Sequence, residues 1–560
     1  MPLSAFSCLR ELNSLNREFG DDALGRKIEL LRFLERRRLN KAKEVGQFHD
    51  ILCFMRAWPN GPEILEVTER ILEGFANRSD LRRFHNQLEG SGIAGTVISY
   101  RFFHPTAEWL AERWGHRLQI DWPEFENAAN LESFLSILVS YAETPALDEY
   151  DFGAHVWIER MKNPGETDAV FLIRSFKALH ADSFLQEKLY EDLDPPLRLL
   201  PGADTPSRST EKFPTKRITW QKEPIQNQRP DLKAAIRSSS FKMNKLGTGQ
   251  ARRAVELARG TMVARLRDLD AFAYADPNDV RIADCGGGVQ VLLTGVLPKR
   301  RLLLESLYGF LLLKNGIPIG YGTGAGLFSS CEVAFNLFPA FRGGETALIY
   351  SLVLAIFRRL FDADTFMVDP YQLGQDNEEA LHSGAWWFYA NLGFMPLEPA
   401  ALRLARAEMS RRRKRAGYRS SISALERLSQ YPVFLELRRK RRGVLGTLNL
   451  AAVGLAVTDL MASRFGSDRK GGTRQCAMEV AHLLKAGSLN NTTADEREAW
   501  ERWSPLVLAL GSVHRWPRKD QRALVEVIRA KGGHHESDFV PLFDGHQRLR
   551  KGIQRMAESG

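Results

Sequence analysis

The sequence predicts an α/β (α+β) protein, with a central mixed-sheet domain flanked by mainly helical N- and C-terminal regions. Three observations carry this. Apolar residues recur at helical spacing through the first 200 residues. Between 250 and 400, short apolar runs alternate with turn formers and two helical stretches. Beyond 401 the helical spacing returns, behind a strongly basic stretch. Strands interleaved with helices bury their apolar faces as layers.

The chain has 560 residues, 44% apolar and 26% charged, ordinary globular usage that excludes whole-chain disorder and a small disulfide scaffold. Its net charge is +10, yet the stretch from Arg403 to Arg442 alone carries fourteen basic and three acidic residues. An anionic partner is therefore to be sought there. The cysteines, Cys8, Cys53, Cys285, Cys331 and Cys476, are odd in number, far apart and free of any CxxC. That pattern suits a reducing, cytoplasmic setting and offers no zinc-binding arrangement, so no metal is expected. The first twenty residues turn polar too soon for a signal peptide.

In order along the chain, Phe48, Ile51, Leu52 and Met55 share one helical face, and Ile64, Val67 and Ile71 continue the spacing. Breaks fall at Trp58–Pro62, Gly90–Gly95 and Asn163–Gly165. Asp194–Ser207 and Lys212–Pro230 are too rich in prolines and turn formers for a helix or central strand. Ala251–Leu269 reads as helix; Asp279–Asp284 and Val289–Val296 read as strands joined by Gly286-Gly287-Gly288. Leu307–Lys314 and Ile317–Gly322 flank Asn315-Gly316, the dipeptide of a type I′ hairpin. Val333–Phe338 is a further strand, Thr346–Leu360 a helix, Thr365–Asp369 a strand and Asn377–Leu392 a helix closing on Gly393. The division is a helical domain 1–200, a linker 201–235, a sheet domain 236–400 and a helical region 401–560 holding the basic stretch 403–442. The apolar run Val444–Val457 is too short to span a membrane and reads as a buried helix, with a membrane-surface helix as the alternative.

Between Val333–Phe338 and the following helix lies Pro339-Ala340-Phe341-Arg342-Gly343-Gly344-Glu345-Thr346-Ala347. A glycine-containing loop entering a helix presents free N–H groups and the positive end of the helix dipole to an anion. Further on stands Tyr389-Ala390-Asn391-Leu392-Gly393-Phe394. A hairpin bearing Gly316-Ile317-Pro318-Ile319-Gly320, then strand, Arg-Gly loop, helix, strand and a helix ending Tyr-x-x-x-Gly-Phe resembles the GNAT superfamily of acyl-CoA-dependent N-acyltransferases. The resemblance covers about 90 residues well and about 150 in outline. The loop departs from the family's Gln/Arg-x-x-Gly-x-Gly/Ala, because Glu345 stands where a glycine is usual; its carboxylate must turn outward if a pyrophosphate is to bind.

The resemblance implies acyl transfer from an acyl-CoA, acetyl-CoA in the first instance, to an amine on an unidentified acceptor. It implies that the backbone of Arg342, Gly343, Gly344, Glu345, Thr346 and Ala347 holds the pyrophosphate. Val333, Phe335 and Asn336 would bond the pantetheine arm. Tyr389 would protonate the departing thiolate, which suits a phenol because the two acidities are close. Glu332 is the candidate base for the attacking amine, with Asp369 as substitute. Other readings stay open: Tyr389 as a core aromatic, Glu332 as an edge carboxylate, Arg342 as a partner of Glu345, and Asp369 as a turn residue. An inactive GNAT-like binding module is the alternative function, and aminoacyl transfer from tRNA a further variant.

The arginines at Arg411–Arg415 and Arg438–Arg442 suit nucleic-acid phosphates, a solvated face or domain contact, or an acidic membrane surface. Gly90-Ser91-Gly92-Ile93-Ala94-Gly95 matches GxGxxG but follows helical Leu81–Glu89 rather than a strand, so it reads as a turn. His534-His535-Glu536-Ser537-Asp538 reads as a loop. No GxSxG, HExxH or Walker lysine loop occurs.

Overall fold

The computed structural model describes residues 4–225, 229–343, 345–438 and 443–559. Helices Ala5–Leu15, Asp21–Glu35, Ala42–Ala57 and Pro62–Glu73 open the chain. Three short strands, β1 (Ile98–Tyr100), β2 (Leu118–Ile120) and β3 (Leu197–Leu199), form an antiparallel sheet ordered β1-β3-β2 among further helices. The main sheet comprises β4 (Lys242–Lys245), β5 (Ala275–Asp284), β6 (Val289–Val296), β7 (Ser306–Lys314), β8 (Ile317–Leu327), β9 (Ser330–Leu337), β10 (Thr365–Val368), β11 (Met395–Pro396) and β12 (Val433–Glu436). Its order is β11-β12-β10-β9-β8-β7-β6-β5-β4. The β9–β10 pair is parallel and its neighbours are antiparallel. A parallel pair needs a crossover, and the helix Thr346–Phe361 supplies it.

The β7–β8 turn has φ of 52° at Asn315 and 82° at Gly316, as a type I′ turn requires. On β8, glycines alternate with Tyr321, Thr323 and Ala325, leaving one face of the strand bare. The crossover helix fills that space: a Cβ on Gly324 would meet the Phe357 ring at 2.3 Å. Phe357 and Phe361 thus lie directly on strand backbone, with Phe310 beneath Phe357.

Three apolar cores result. The helices up to residue 93 share one core with the main sheet. Residues 98–199, joined by Val263, form a second. A third unites the C-terminal helices with Leu327, Phe328, Met367 and Phe434 of the sheet's far end. The described residues between 200 and 231 hold no helix or strand, and the helix Leu232–Ser238 follows.

Several local expectations change. Asn377–Leu392 is two helices, Glu378–Ser383 and Ala385–Asn391, because left-handed Gly384 interrupts it. Leu81–Glu89 is not one helix: a short helix Ser79–Arg83 is followed by a 3₁₀ turn Asn86–Leu88. The run Val444–Val457 is not a buried helix: the helix is Leu450–Phe465, and only Ala452, Val453 and Met461 of it are buried, Leu455 being 59% exposed. Its apolar residues are spread round the helix, so one contact stripe cannot cover them. Among the described residues no helix is long and apolar enough to cross a membrane. In the tail, Glu536 already opens a helix, Glu536–Gly545.

Gly324→Ala should force apart strand and crossover helix. The expected loss is about 1–3 kcal/mol of stability, read as a lower urea midpoint at unchanged slope.

Candidate functional site

β9 pairs with β10 only through Ser330, Cys331 and Glu332, opposite Thr365, Phe366 and Met367. β10 ends at Val368, where Asp369-Pro370 turns the chain into a short helix. Proline has no N–H with which to extend the ladder. β9 runs on to Leu337, and the two strands part. Beyond the parting lies a cavity of about 400 Å³. Phe335, Asn336, Arg342, Thr346, Phe388 and Tyr389 all line it.

Of the nine expected cofactor residues four line this cavity, Phe335, Asn336, Arg342 and Thr346. Phe335 and Asn336 lie on the part of β9 that β10 leaves uncovered. Val333 is fully buried and does not line the cavity. Arg342 donates from Nε to the Leu337 carbonyl (3.0 Å) and from Nη2 to Glu379 (3.0 Å), so its partner is Glu379 rather than Glu345. Thr346 begins the crossover helix, and its hydroxyl donates to the Gly343 carbonyl (2.6 Å). Ala347 is nearly buried in the same turn. Gly344 lies outside the described residues.

Glu345 turns away from the cavity. Its carboxylate accepts from Trp58 Nε1 (2.9 Å) and lies 3.8 Å from Lys314 Nζ. Trp58 stacks on Phe54 and packs against Phe341 of the loop. Arg17 donates to the Arg342 carbonyl. Arg17 and Trp58 of the N-terminal region thus hold the loop from outside, and Lys314 of β7 is the cation beside the Glu345 carboxylate; Glu379, which lines the cavity, is paired with Arg342.

Tyr389 is 3% exposed yet lines the cavity. Its ring packs against Tyr350 and Phe394. The Gly-Phe that follows it is a helix stop: Gly393 has φ of 95° and the Phe394 N–H donates to the Tyr389 carbonyl (3.1 Å). Burial pushes the phenol's pKa up, keeping it protonated at neutral pH.

Glu332 sits on the face of β9 opposite the crossover helix, level with the last rung before the strands part. Burial first, then Asp369 and Glu305, raise its carboxyl to about 7. Asp369 accepts the Tyr371 N–H (2.9 Å) and caps the short helix, a turn role. Neither carboxylate lines the cavity directly.

Arg267, Tyr321 and Tyr371 line the same cavity and carry no motif. Tyr321 was the most accessible of them to sequence reasoning, because the Gly-x-Gly alternation of β8 marks which residues face away from the crossover helix. The basic residues Arg411–Arg415 are exposed at the end of the helix Pro399–Lys414. Arg411 pairs with Glu408 (2.5 Å) and Arg412 lies over Trp387. Of the second cluster, residues 439–442 lie outside the described residues. His535 approaches Asp279 (3.6 Å), and no group of three potential metal ligands occurs among the described residues.

Trp58→Phe keeps the aromatic packing but removes the donor to Glu345. It should cost about 1–3 kcal/mol in chemical denaturation; an unchanged midpoint would show the bond to be energetically idle. No family model, no curated protein and no solved structure matches this chain.

Proposed function

We propose that the chain is an acyl-CoA-dependent N-acyltransferase, with acetyl-CoA as the first donor to try and an amine as acceptor. One observation carries the reading. The strand edge, the loop, the helix start and the phenol that the GNAT resemblance singles out line a single 400 Å³ cavity where two parallel strands separate. The strand order supports it too, since one parallel pair joined by the crossover helix lies among antiparallel neighbours.

In this mechanism the pyrophosphate lies at the start of the helix Thr346–Phe361 and the pantetheine amides pair with the uncovered edge of β9. The amine nitrogen attacks the thioester carbonyl. Its proton passes to Glu332, directly or through water, and a tetrahedral carbon forms. The C–S bond then breaks, and the thiolate takes the Tyr389 proton. The carboxyl raised to about 7 is a stronger base than an ordinary one; burial keeps the phenol protonated and ready to donate, though it makes Tyr389 a weaker acid than a free tyrosine.

A second reading draws on the exposed Arg411–Arg415 run, whose cations are accessible to phosphates. In it the domain is a binding module on nucleic acid, or transfers an aminoacyl group from tRNA. A salt-sensitive gel shift lost on neutralising Arg411–Arg415 would favour it.

Acetyl-CoA should raise the melting temperature of the full chain; no shift at millimolar ligand would sink the acyltransferase reading. Tyr389→Phe should lower turnover at least tenfold with nearly unchanged acetyl-CoA affinity, and unchanged turnover would remove Tyr389 from the mechanism.

The pH dependence centres on Glu332. As base it must be ionised, so kcat/KM should rise through about pH 7 and Glu332→Gln should abolish that limb. Stability should run the opposite way. A carboxyl raised from 4.5 to about 7 on folding favours the folded state below 4.5, and that benefit is lost as pH climbs through 7. At pH 8, Glu332→Gln should therefore be more stable than wild type by up to about 3 kcal/mol; equal denaturation curves at pH 8 would refute the buried-carboxylate account.

A further inference from the structure

A second cavity, of about 290 Å³, adjoins the one beside Tyr389 and shares Arg267, Asn336 and Arg342 with it. Its other walls come from distant parts of the chain. Asp50 and Cys53 belong to the third helix, Ser91 to the glycine-rich turn, Arg208 to the segment after β3, and Phe338 stands just past β9. Neither Gly343 nor Thr346 lines it, so it lies outside the backbone assigned above to a pyrophosphate.

The glycine-rich turn explains how the arginines are held. Leu266 has φ of 53°, a left-handed conformation that a bulky residue adopts only under constraint. Gly90 and Gly92 pack against it. A Cβ on Gly92 would stand 1.7 Å from the Ala264 carbonyl oxygen, and one on Gly90 2.9 Å from the Leu266 side chain. The two glycines therefore let the GxGxxG-like stretch lie directly on the turn that carries Arg265 and Arg267. The same stretch holds Arg208, whose Nη1 donates to the Ser91 carbonyl (3.0 Å) and whose N–H donates to the Gly92 carbonyl (2.8 Å).

Charge decides what fits. Five guanidinium groups gather here: Arg208, Arg265, Arg267 and Arg342 line the cavity, and Arg56 acts on Cys53 of its wall. Three have carboxylate partners, Arg208 in Asp50, Arg265 in Glu211 and Arg342 in Glu379 (3.0 Å). Arg56 donates to the carbonyls of Ser209 and Arg208 and has no acidic partner among the described residues. Arg267 has neither an ion pair nor a side-chain hydrogen bond among them; its guanidinium lies 5.9 Å from the centre of the Tyr321 ring. The adjacent Asp268 is turned elsewhere, accepting from the Phe103 N–H (3.0 Å) and the Thr106 hydroxyl (3.0 Å). Burial, then Arg208, Arg56 and Arg265, hold His49 well below the usual imidazole range, so it is neutral and adds no charge. Five cations thus face three carboxylates, an excess of two.

We propose that this cavity is a binding site for a small phosphate monoester, with the Arg267 fork on the phosphate and the short organic part against Phe338 and Cys53. Guanidinium forks match phosphate oxygens, and one dianion balances the two uncompensated cations. A phosphate group fills only part of 290 Å³, which leaves room for a few carbons. The site does not rest on the acyltransferase reading, since none of its donors is a loop amide.

The test is calorimetric titration of the full chain with glycerol 3-phosphate, with glycerol and succinate as controls. Glycerol 3-phosphate should bind, glycerol should not, and the affinity should fall as salt rises. Arg267→Gln should weaken binding about tenfold or more. Glu379→Gln, which releases Arg342, should strengthen it. The ribose phosphate of CoA is the rival source of the same chemistry, so binding should persist with acetyl-CoA at saturation; its loss there assigns the arginines to the coenzyme and overturns the separate site. Absence of binding, or succinate binding as tightly, also overturns the proposal, and leaves the acyltransferase reading untouched. Affinity unchanged by Arg267→Gln overturns it too, and marks an adventitious ion only.

Discussion

The candidate site exists because two parallel strands of unequal length share only three rungs. Backbone N–H and C=O groups need partners, and a strand edge abandoned by its neighbour must find them in water, side chains or a ligand. β10 stops at a residue followed by Asp-Pro, whereas β9 continues to Leu337. The gap thus follows from the covalent chemistry of Pro370 as much as from any binding role. The other candidate features are arranged round it: the loop at the upper end of β9, the crossover helix behind it, and Tyr389 across it.

The crossover helix can lie this close because β8 presents only glycines on that face, between the Tyr308 and Phe310 side chains of β7 and the Val333 and Phe335 side chains of β9. Phe357 and Phe361 occupy the space that Cβ atoms on β8 would fill. The helix start at Thr346 is therefore located by packing that lies about three to four turns away. Arg17, between the first two helices, and Trp58, just after the third, complete the constraint by bonding the Arg342 carbonyl and Glu345.

Much of this was legible in the sequence. The Asn315-Gly316 turn, the long helix after Thr346 and the short strand before Pro370 follow from local rules and are present. The convergence of Phe335, Asn336, Arg342 and Tyr389 on one cavity was expected from the resemblance alone, since nothing local dictates it. Local reasoning failed where one residue decides the outcome, as at Gly384, whose left-handed conformation splits a continuous apolar pattern. It failed also where partners are remote. Nothing near Glu345 in sequence points to Trp58, 287 residues away, and nothing in the apolar run after Val444 reveals that one narrow stripe of it finds a neighbour.

The shared core of the first 93 residues and the main sheet has a consequence for biosynthesis. The opening helices leave the ribosome with their apolar sides ready, but the strands that cover them follow more than 200 residues later. Contacts so distant in sequence are slow to form. Residues 98–199, by contrast, draw their core almost wholly from within that span, Val263 being the buried residue from outside it. The opening helices therefore reach their final packing only after residues 98–199 have been made.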